Sequence, residues 1–594
     1  MIANLLLSLA MSVQAVSSLS SPFSHAVSSD GDEKQEELVL ANYDLRALLP
    51  NVDGTGWEQS LLLPPAGRGR HPLPVAQVER SYEQSSGDVV MKIISTALEE
   101  EFLERYRDLS LQGEQNLLLL APESTHQKVA GIIDALRAMA SDSSLIRVDV
   151  LSFGESERAN LPGLHGNNVI AASEVDRLIA QAVSSNAQHQ RFEMQLEAGR
   201  TTMLERREEI SFLFDYDVEI AQGSFVFDPI VLQTQDGLKL LMRASPAGGG
   251  LALNCVLQSS VVDEEFEEYP ISLSGMVGSE KTGMAVVEGP QVLQNPGVLM
   301  HGLSVNTFLP DGKAVLFAFE TKLAGGTHRQ VVVLRSVGGG LTPYASHPVP
   351  GTGRRLLMVN SELFRSPWLE TVKGPYRNGA RRGHPLFTAR LLTEPSHFFL
   401  GWMRNFAVWD RLGPWVVIVT DRSWDGDNEE KLQALVRGME EPPALATVEI
   451  ELQTTSGDRR AKLSLPLVVG TTAGAVVGKT HTVLADFDVE VAQFSAAADP
   501  IIVSTFDGMA LTLGVVPGRD HERELIVSGA AQLVRNPAGE ILQKGSAFGR
   551  LELPRYDVLR LDERRILPVS DGATRVKLGP VSSDAGMTLN VTVR

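Results

Sequence analysis

The stretch DYDVEIAQGSFVFDP begins at Asp215, and DFDVEVAQFSAAADP begins at Asp486. Over residues 215–240 against 486–511, 14 of 26 positions are identical without a gap. Asp228-Pro229-Ile230 matches Asp499-Pro500-Ile501, and Asp236-Gly237 matches Asp507-Gly508. The copies lie 271 residues apart, far beyond the period of about 20–50 residues that marks a solenoid. The repeat therefore marks a duplicated domain, and the two copies are expected to fold alike.

Inside each copy the apolar residues alternate. Phe212, Phe214, Tyr216, Val218 and Ile220 alternate with Ser211, Leu213, Asp215, Asp217 and Glu219. In the second copy Ala485, Phe487, Val489 and Val491 alternate with Leu484, Asp486, Asp488 and Glu490. A period of two is a strand with one apolar face and one largely acidic face. The Asp-Pro pair is expected to end that strand, because proline cannot donate to the ladder. Asp-Gly is expected to supply the next tight turn.

A second kind of segment precedes each copy. Residues 116–121 (NLLLLA) read as a buried strand, and residues 146–153 (IRVDVLSF) as another. Between them Val129, Ile132, Ile133, Leu136 and Met139 fall at helical spacing. The plan recurs with WVVIVT at 415–420, a helical face at Leu432, Leu435, Val436 and Met439, and a strand over 447–452. An upstream helix is expected from the capping-box spacing of Thr96 and Glu99, with Leu98, Phe102 and Tyr106 on one face. Strand–helix–strand pieces build small two-layer α/β modules. The fold class is therefore α+β, with two tandem copies of a small α/β module followed by an antiparallel β-domain. The length of 594 residues agrees, giving a prior of about four domains.

Charge and cysteine content exclude whole classes of function. The net charge is −20 and the pI near 5.1, so the chain repels nucleic-acid phosphates, and nucleic acid is not expected as a partner. The one cysteine, Cys255, permits no intrachain disulfide and alternates with Leu251, Leu253 and Leu257 as a small core residue. The opening residues, MIANLLLSLAMSVQAVSS, hold an apolar run that ends at Val13-Gln14-Ala15. That pattern is expected to be a signal peptide over 1–15, which places the protein outside the cytoplasm. No later window offers about 20 uninterrupted apolar residues for a spanning helix.

Four features resemble bacterial secretins, the ring-forming outer-membrane channels of type II and III secretion and type IV pili. The chain is similar in particular to secretin-like exported proteins of planctomycete-type bacteria, here with a duplicated core. Residues 43–49 (YDLRALL) look like the opening strand of the secretin N-terminal region. Residues 117–139 (LLLLAPESTHQKVAGIIDALRAM) look like the strand, turn and helix of a ring-building module. The repeated D-[YF]-D-V-E-[IV]-A-Q stretch resembles the start of the secretin β-domain, and Leu309-Pro310-Asp311-Gly312 the turn before its last strands.

The resemblance implies these segments: signal peptide 1–15, linker 16–37, N-terminal ring-building-type module 38–155, and secretin-like β-domain 156–340. A linker and second α/β module then span 341–453, and the second β-domain 454–594. It further implies a homo-oligomer associated with the outer membrane or periplasm, with other envelope or secretion-system proteins as partners and no cofactor. The usual secretin closing segment, V-P-x-L-x-D-I-P-x-L-G-x-L-F, is found in neither half. That leaves an alternative: a periplasmic or cell-surface binding scaffold that keeps the fold without a channel.

Catalytic chemistry is not expected. The chain has no G-x-S-x-G, H-E-x-x-H, C-x-x-C or complete phosphate-loop motif. The strongest polar candidates are Asp215, Asp217 and Glu219, with Asp486, Asp488 and Glu490. Carboxylates two apart on a strand sit about 6.6–6.8 Å apart, too far for a shared-proton pair. They read first as a solvated acidic face, with a polar subunit contact or a cation site as the alternatives. Asp228, Asp499, Asp236 and Asp507 read as turn formers. Residues 350–355 (PGTGRR) lack the Lys-Ser/Thr of a phosphate loop, and 376–384 (YRNGARRGH) reads as a basic loop. The chain is read as a non-enzyme with no catalytic, cofactor or metal residues.

Overall fold

The structure is a computed structural model. It describes residues 37–48, 87–98, 109–113, 115–140, 142–153, 168–197, 201–221, 224–262, 266–279, 283–323, 326–360, 406–412, 415–439, 442–454, 456–492, 495–517, 523–535, 555–567, 573–579 and 587–594. Most of these residues lie in antiparallel strands, with four helices among them. The expected signal peptide, the 376–384 stretch and the helical face at Phe102 and Tyr106 lie outside the described residues.

The first half of the chain opens with β1 (Leu38–Asp44), α1 (Gly87–Leu98), β2 (Leu109–Gln112), β3 (Asn116–Pro122) and α2 (Glu123–Ala140). Next come β4 (Ser143–Phe153), β5 (Val169–Ala171), α3 (Ala172–Ser184) and β6 (Gln188–Glu197). The strands β7 (Thr201–Ala221), β8 (Ser224–Ala247), β9 (Gly250–Val262), β10 (Glu267–Ser279) and β11 (Gly283–Asn295) follow. This half closes with β12 (Val298–Pro310), β13 (Lys313–Leu323) and β14 (Gly326–Gly339).

The second half starts with β15 (Tyr344–Val349), β16 (Arg354–Asn360), β17 (Phe406–Leu412), β18 (Trp415–Thr420) and α4 (Gly426–Met439). It continues with β19 (Leu445–Thr454), β20 (Arg459–Val468), β21 (Thr472–Ala492) and β22 (Ser495–Pro517). It ends with β23 (Arg523–Arg535), β24 (Arg555–Leu567), β25 (Thr574–Leu578) and β26 (Met587–Val593).

The strands form four sheets, and the pairing order repeats between halves. In the ten-stranded sheet, β7-β8-β9-β12 recurs as β21-β22-β23-β24. In the nine-stranded sheet, β6-β4-β14-β13 recurs as β20-β19-β26-β25. Of the small sheets, β1-β3-β2 recurs as β16-β18-β17, with β15 added beside β16. Neither strand–helix–strand piece closes a sheet of its own. The strand before the helix (β3 or β18) sits in a small sheet, while the strand after it (β4 or β19) enters the nine-stranded sheet. The reason is visible in the ladders: β4 is paired along most of its length on both sides, by β14 and β6.

The main core fills the space between the two large sheets. Leu240, Leu253, Leu303 and Leu511 come from the ten-stranded sheet, and Val148, Phe317, Leu463 and Leu589 from the other. The opposite face of the nine-stranded sheet is covered in the first half by α3, through Val175, Leu178, Ile179 and Ala182. Full burial of such a side chain contributes about 1.5–3 kcal/mol, so these layers dominate the stability.

Three local expectations are corrected. Strand β8 runs through Asp228-Pro229 and β22 through Asp499-Pro500, so neither Asp-Pro ends a strand. Each proline is tolerated because β9 and β23 pair with β8 and β22 only from Gly237 and Gly508 onward. Each also lies beside a bulge, between Leu213 and Asp215 or between Leu484 and Asp486. The Asp-Gly pairs are likewise mid-strand, not turns. Gly237 has φ +139 and Gly508 φ +153, and an added Cβ would sit 2.1 Å from the Arg206 carbonyl oxygen or 2.3 Å from that of Val477. Only glycine fits where the neighbouring backbone comes that close. Finally, Thr96 lies in the last turn of α1 and is not an N-cap, since the helix begins at Gly87.

Candidate functional site

The repeat builds two very long hairpins. Strands β7 and β21 each have 21 residues, β8 has 24 and β22 has 23. At about 3.3 Å per residue they extend on the order of 70 Å, against about 20 Å for a typical strand. The register repeats too: Tyr216 faces Pro229, and Phe487 faces Pro500. The distal ends meet the hairpin β10–β11. Gly275–Val277 of β10 pair with residues 495–497 of β22, and the Leu213 amide donates to Gln294 Oε1 at 2.9 Å.

The acidic candidates lie on these hairpins. Asp217 sits directly opposite Asp228, and Asp488 opposite Asp499. Asp217, Glu219, Asp228 and Asp488 are exposed. Asp215 is half-buried, and its Oδ1 accepts from the Tyr216 amide at 2.9 Å. The cross-strand acid pairs were invisible to spacing along one strand, because only register creates them. Like charges directly opposite are unfavourable, and among the described residues no group of three or more His, Cys, Asp or Glu side chains is placed to hold a metal ion.

The remaining sequence candidates are structural. Cys255 is fully buried between Met242 and Val305 on the neighbouring strands, and burial pushes its thiol up to about 12. Asp236 lies inside β8, where its Oδ2 accepts from the Val262 amide at 3.0 Å. Residues 350–353 of the PGTGRR segment form the turn between β15 and β16, with Gly351 and Gly353 at φ +72 and +69, and its two arginines begin β16.

The feature that distinguishes this chain is the joint between its halves. In the ten-stranded sheet, residues 298–304 of β12 pair with 474–480 of β21. In the nine-stranded sheet, Ala318–Thr321 of β13 pair with 461–464 of β20. The contact is unlike on its two sides: β12 is the counterpart of β24, while β21 is the counterpart of β7. The halves are thus joined head to tail through both sheets.

Leu303, Val477, Phe319 and Leu463 are buried at the joint. The Thr480 hydroxyl donates to the Val298 carbonyl at 3.3 Å. Buried Asn168 donates to the Leu316 carbonyl at 2.8 Å and accepts from the Ser464 hydroxyl at 2.9 Å. Glu320 faces Lys462 and binds Arg329 at 2.7 Å and Arg459 at 3.1 Å. Burial pushes the Glu320 carboxyl up, but the two guanidinium groups outweigh it and hold the group below its usual range.

A polar cluster that sequence reading missed lies beside this joint. His301 stacks on Phe319, with centroids 5.0 Å apart and planes 9° from parallel. Its Nδ1–H donates to Gln330 Oε1 and its Nε2 accepts from the Thr321 hydroxyl, both at 3.2 Å. Gln330 in turn donates to the Ser259 hydroxyl at 2.9 Å. Burial, with His328 nearby, holds His301 down to about 3, and burial holds His328 down to about 4. Both rings are neutral near pH 7. The cluster has no charged nucleophile, and its geometry is that of an internal latch.

Among the described residues, the unmatched ends of the head-to-tail arrangement are β7 and β6 on one side, and β24 and β25 on the other. The ten-stranded sheet has three terminal strands, β11, β7 and β24, and the latter two are charged. Strand β7 carries Glu205, Arg206, Arg207, Glu208 and Glu209, and β24 carries Arg560, Asp562, Glu563, Arg564 and Arg565.

No protein-family model matches the chain, and no curated protein or solved structure matches it either. The reading of function therefore rests on this architecture and on the residues themselves.

Proposed function

We propose that the protein is a secretin-like, exported envelope protein that acts by assembling with further copies of itself, as a component of a protein-secretion or pilus-type outer-membrane system. In this reading the chain is two tandem copies of a ring-building-type α/β module followed by a secretin-like β-domain. One observation carries it: the halves join head to tail through two sheets at once, leaving unlike edges at the two ends. A heterologous contact of that kind, repeated between chains, makes a ring if its rotation closes and a filament if it does not. A closed ring has no open strand edge. The cargo would be protein, and the mechanism needs no cofactor.

No described helix is long and apolar enough to cross a membrane. Membrane association in this reading falls to strands, and the hairpins β7–β8 and β21–β22 have the length for it. Residues Ile230, Val231 and Leu232 of β8 are exposed.

A second reading is a non-channel envelope scaffold. The charged strands β7 and β24 favour it, because charge on an edge strand guards against pairing. The test is extraction of the full-length protein from cell envelopes, sizing and imaging. Large rings that resist SDS are expected for the channel component. A small soluble species would establish the scaffold, and recovery in the cytoplasm would sink both readings.

A further inference from the structure

We infer that the outer face of the small sheet β1-β3-β2 is a docking surface for a second copy of this chain, which seats the helical layer of its second half there. The inference rests on the assembly reading above and names its contact surface.

The two small sheets carry the argument. Each has a helix-covered face. In the first, Leu117, Leu119 and Ala121 are buried under α2. In the second, Leu357, Val359, Val416 and Ile418 are buried with Leu432 and Val436 of α4. The opposite faces differ sharply in their surroundings. On β16 and β18 that face holds Leu356, Met358, Val417 and Val419, each no more than 1% exposed. It is covered by the first half, because α1 packs on β17 and β18 as well as on β2 and β3. Arg354 donates to the Thr96 carbonyl, and Gly351 lies against Lys128 of α2.

On β1 and β3 the corresponding face holds Leu38, Leu40, Asn42, Leu118 and Leu120, with the exposed Asn42 opposite Leu118. Leu40 lies opposite Leu120, and Leu38 opposite Pro122. Leu38 is 48% exposed and Leu40 65%, with Leu118 and Leu120 half-buried. Leu40, Leu118 and Leu120 keep the apolar character of Leu356, Val417 and Val419, while Asn42 stands where the second sheet has Met358; among the described residues the cover is not kept. Two exposed leucines flanked by two half-buried ones leave apolar surface on this sheet for a contact to cover.

A second copy is the occupant that fits. Within the chain, one side of the second half (β20, β21 and the outer face of its small sheet) rests on the opposite side of the first half (β13, β12 and helices α1 and α2). The side left over in the first half is β6, β7 and the leucine face. The side left over in the second half is β24, β25 and α4. Repeating the internal step between chains brings these together.

The internal register, carried over to β24 against β7, places Leu561 opposite Leu204 and Arg560 opposite Glu205. Leu561 is buried, and Leu204 already packs on the core. Glu205 is paired to Arg207 at 3.0 Å in the single chain, and Arg560 is exposed.

The test is sedimentation velocity of the full-length chain over a concentration series. The variants are Leu40→Glu, Leu120→Glu and a control, Val183→Glu, at an exposed apolar position on α3. Circular dichroism confirms that each folds. The wild type is expected to self-associate. Leu40→Glu and Leu120→Glu should each weaken association at least about tenfold, and Val183→Glu should leave it unchanged. A charge exchange, Glu205→Arg with Arg560→Glu, should restore association that Arg560→Glu alone weakens.

Association unaffected by both leucine variants overturns the surface and leaves the assembly reading standing. A wild type that stays monomeric throughout overturns both. If Leu40→Glu breaks association in a protein recovered outside the envelope, the surface stands and the secretin-like placement falls. If hydrogen exchange shows Leu38–Leu40 protected in the monomer, another segment of the same chain covers the face and the inference fails.

Discussion

Strand β21 and strand β7 hold equivalent places in the two halves, but one is covered and the other is an edge. Residues 474–480 of β21 pair with β12 and contain one charged residue, Lys479. The equivalent residues 203–209 of β7 contain five: Glu205, Arg206, Arg207, Glu208 and Glu209. Their hairpin geometry is otherwise the same, down to the bulge and the mid-strand glycine. The difference lies in what each edge meets. A permanently covered edge carries small and apolar residues, while one that spends time in water carries charge, which blocks unspecific pairing. Contact through β7 would therefore be selective and salt-sensitive, unlike the internal joint.

Breaking the comparison at equivalent positions gives the largest effect. Val477 is fully buried at the joint, and its counterpart Arg206 is exposed. Val477→Asp should cost about 3–5 kcal/mol, because the new charge is buried without a partner. Arg206→Asp should change stability by no more than about 0.5 kcal/mol. Thermal melts of the two variants check this, and similar losses would mean that the halves are not joined as described.

The glycines sharpen it from the opposite direction. Gly237→Ala and Gly508→Ala force a Cβ into the Arg206 or Val477 carbonyl. Each should cost about 1–3 kcal/mol, and the two losses should be alike, since the backbone trap is the same in both copies. Denaturant titration measures both.

Acid weakens the joint region through its histidines. His301 and His328 are held down to about 3 and about 4 when folded, against 6.5 for a free imidazole. Below about pH 6.5 the unfolded chain binds protons that the folded chain refuses, so stability falls as pH drops through that window toward 3. His301→Gln should flatten the pH dependence of the melting temperature between pH 6.5 and 4. An unchanged slope would remove His301 from the account. The smallest effect belongs to the exposed acid pair: Asp228→Asn relieves repulsion with Asp217 and should stabilise by about 0.2–1 kcal/mol, shrinking with added salt.

Much of the architecture was legible in the sequence. The repeat gave equivalent hairpins, the alternating runs gave strands, and Val129 through Met139 gave α2. WVVIVT is β18 to the residue. The readings that failed were those that trusted local turn chemistry. Asp-Pro and Asp-Gly favour turns in isolation, but Gly237 and Gly508 each meet a strand on both sides, and that pairing prevails. The joint was illegible because strand order across more than 100 residues leaves no period in the chain. The His301 latch was illegible for the same reason: Ser259 lies opposite it only once β9 and β12 pair, and Thr321 and Gln330 meet it only after the two sheets have stacked.

Native-state hydrogen exchange, resolved by residue, most directly tests whether the two halves are fused head to tail. In the dilute, monomeric chain, amides of residues 298–304 and 474–480 should exchange only on global unfolding. Outward-facing amides of residues 203–209 should exchange orders of magnitude faster. If 474–480 exchange as fast as 203–209, β12 and β21 are not a ladder in solution, and the head-to-tail account is wrong.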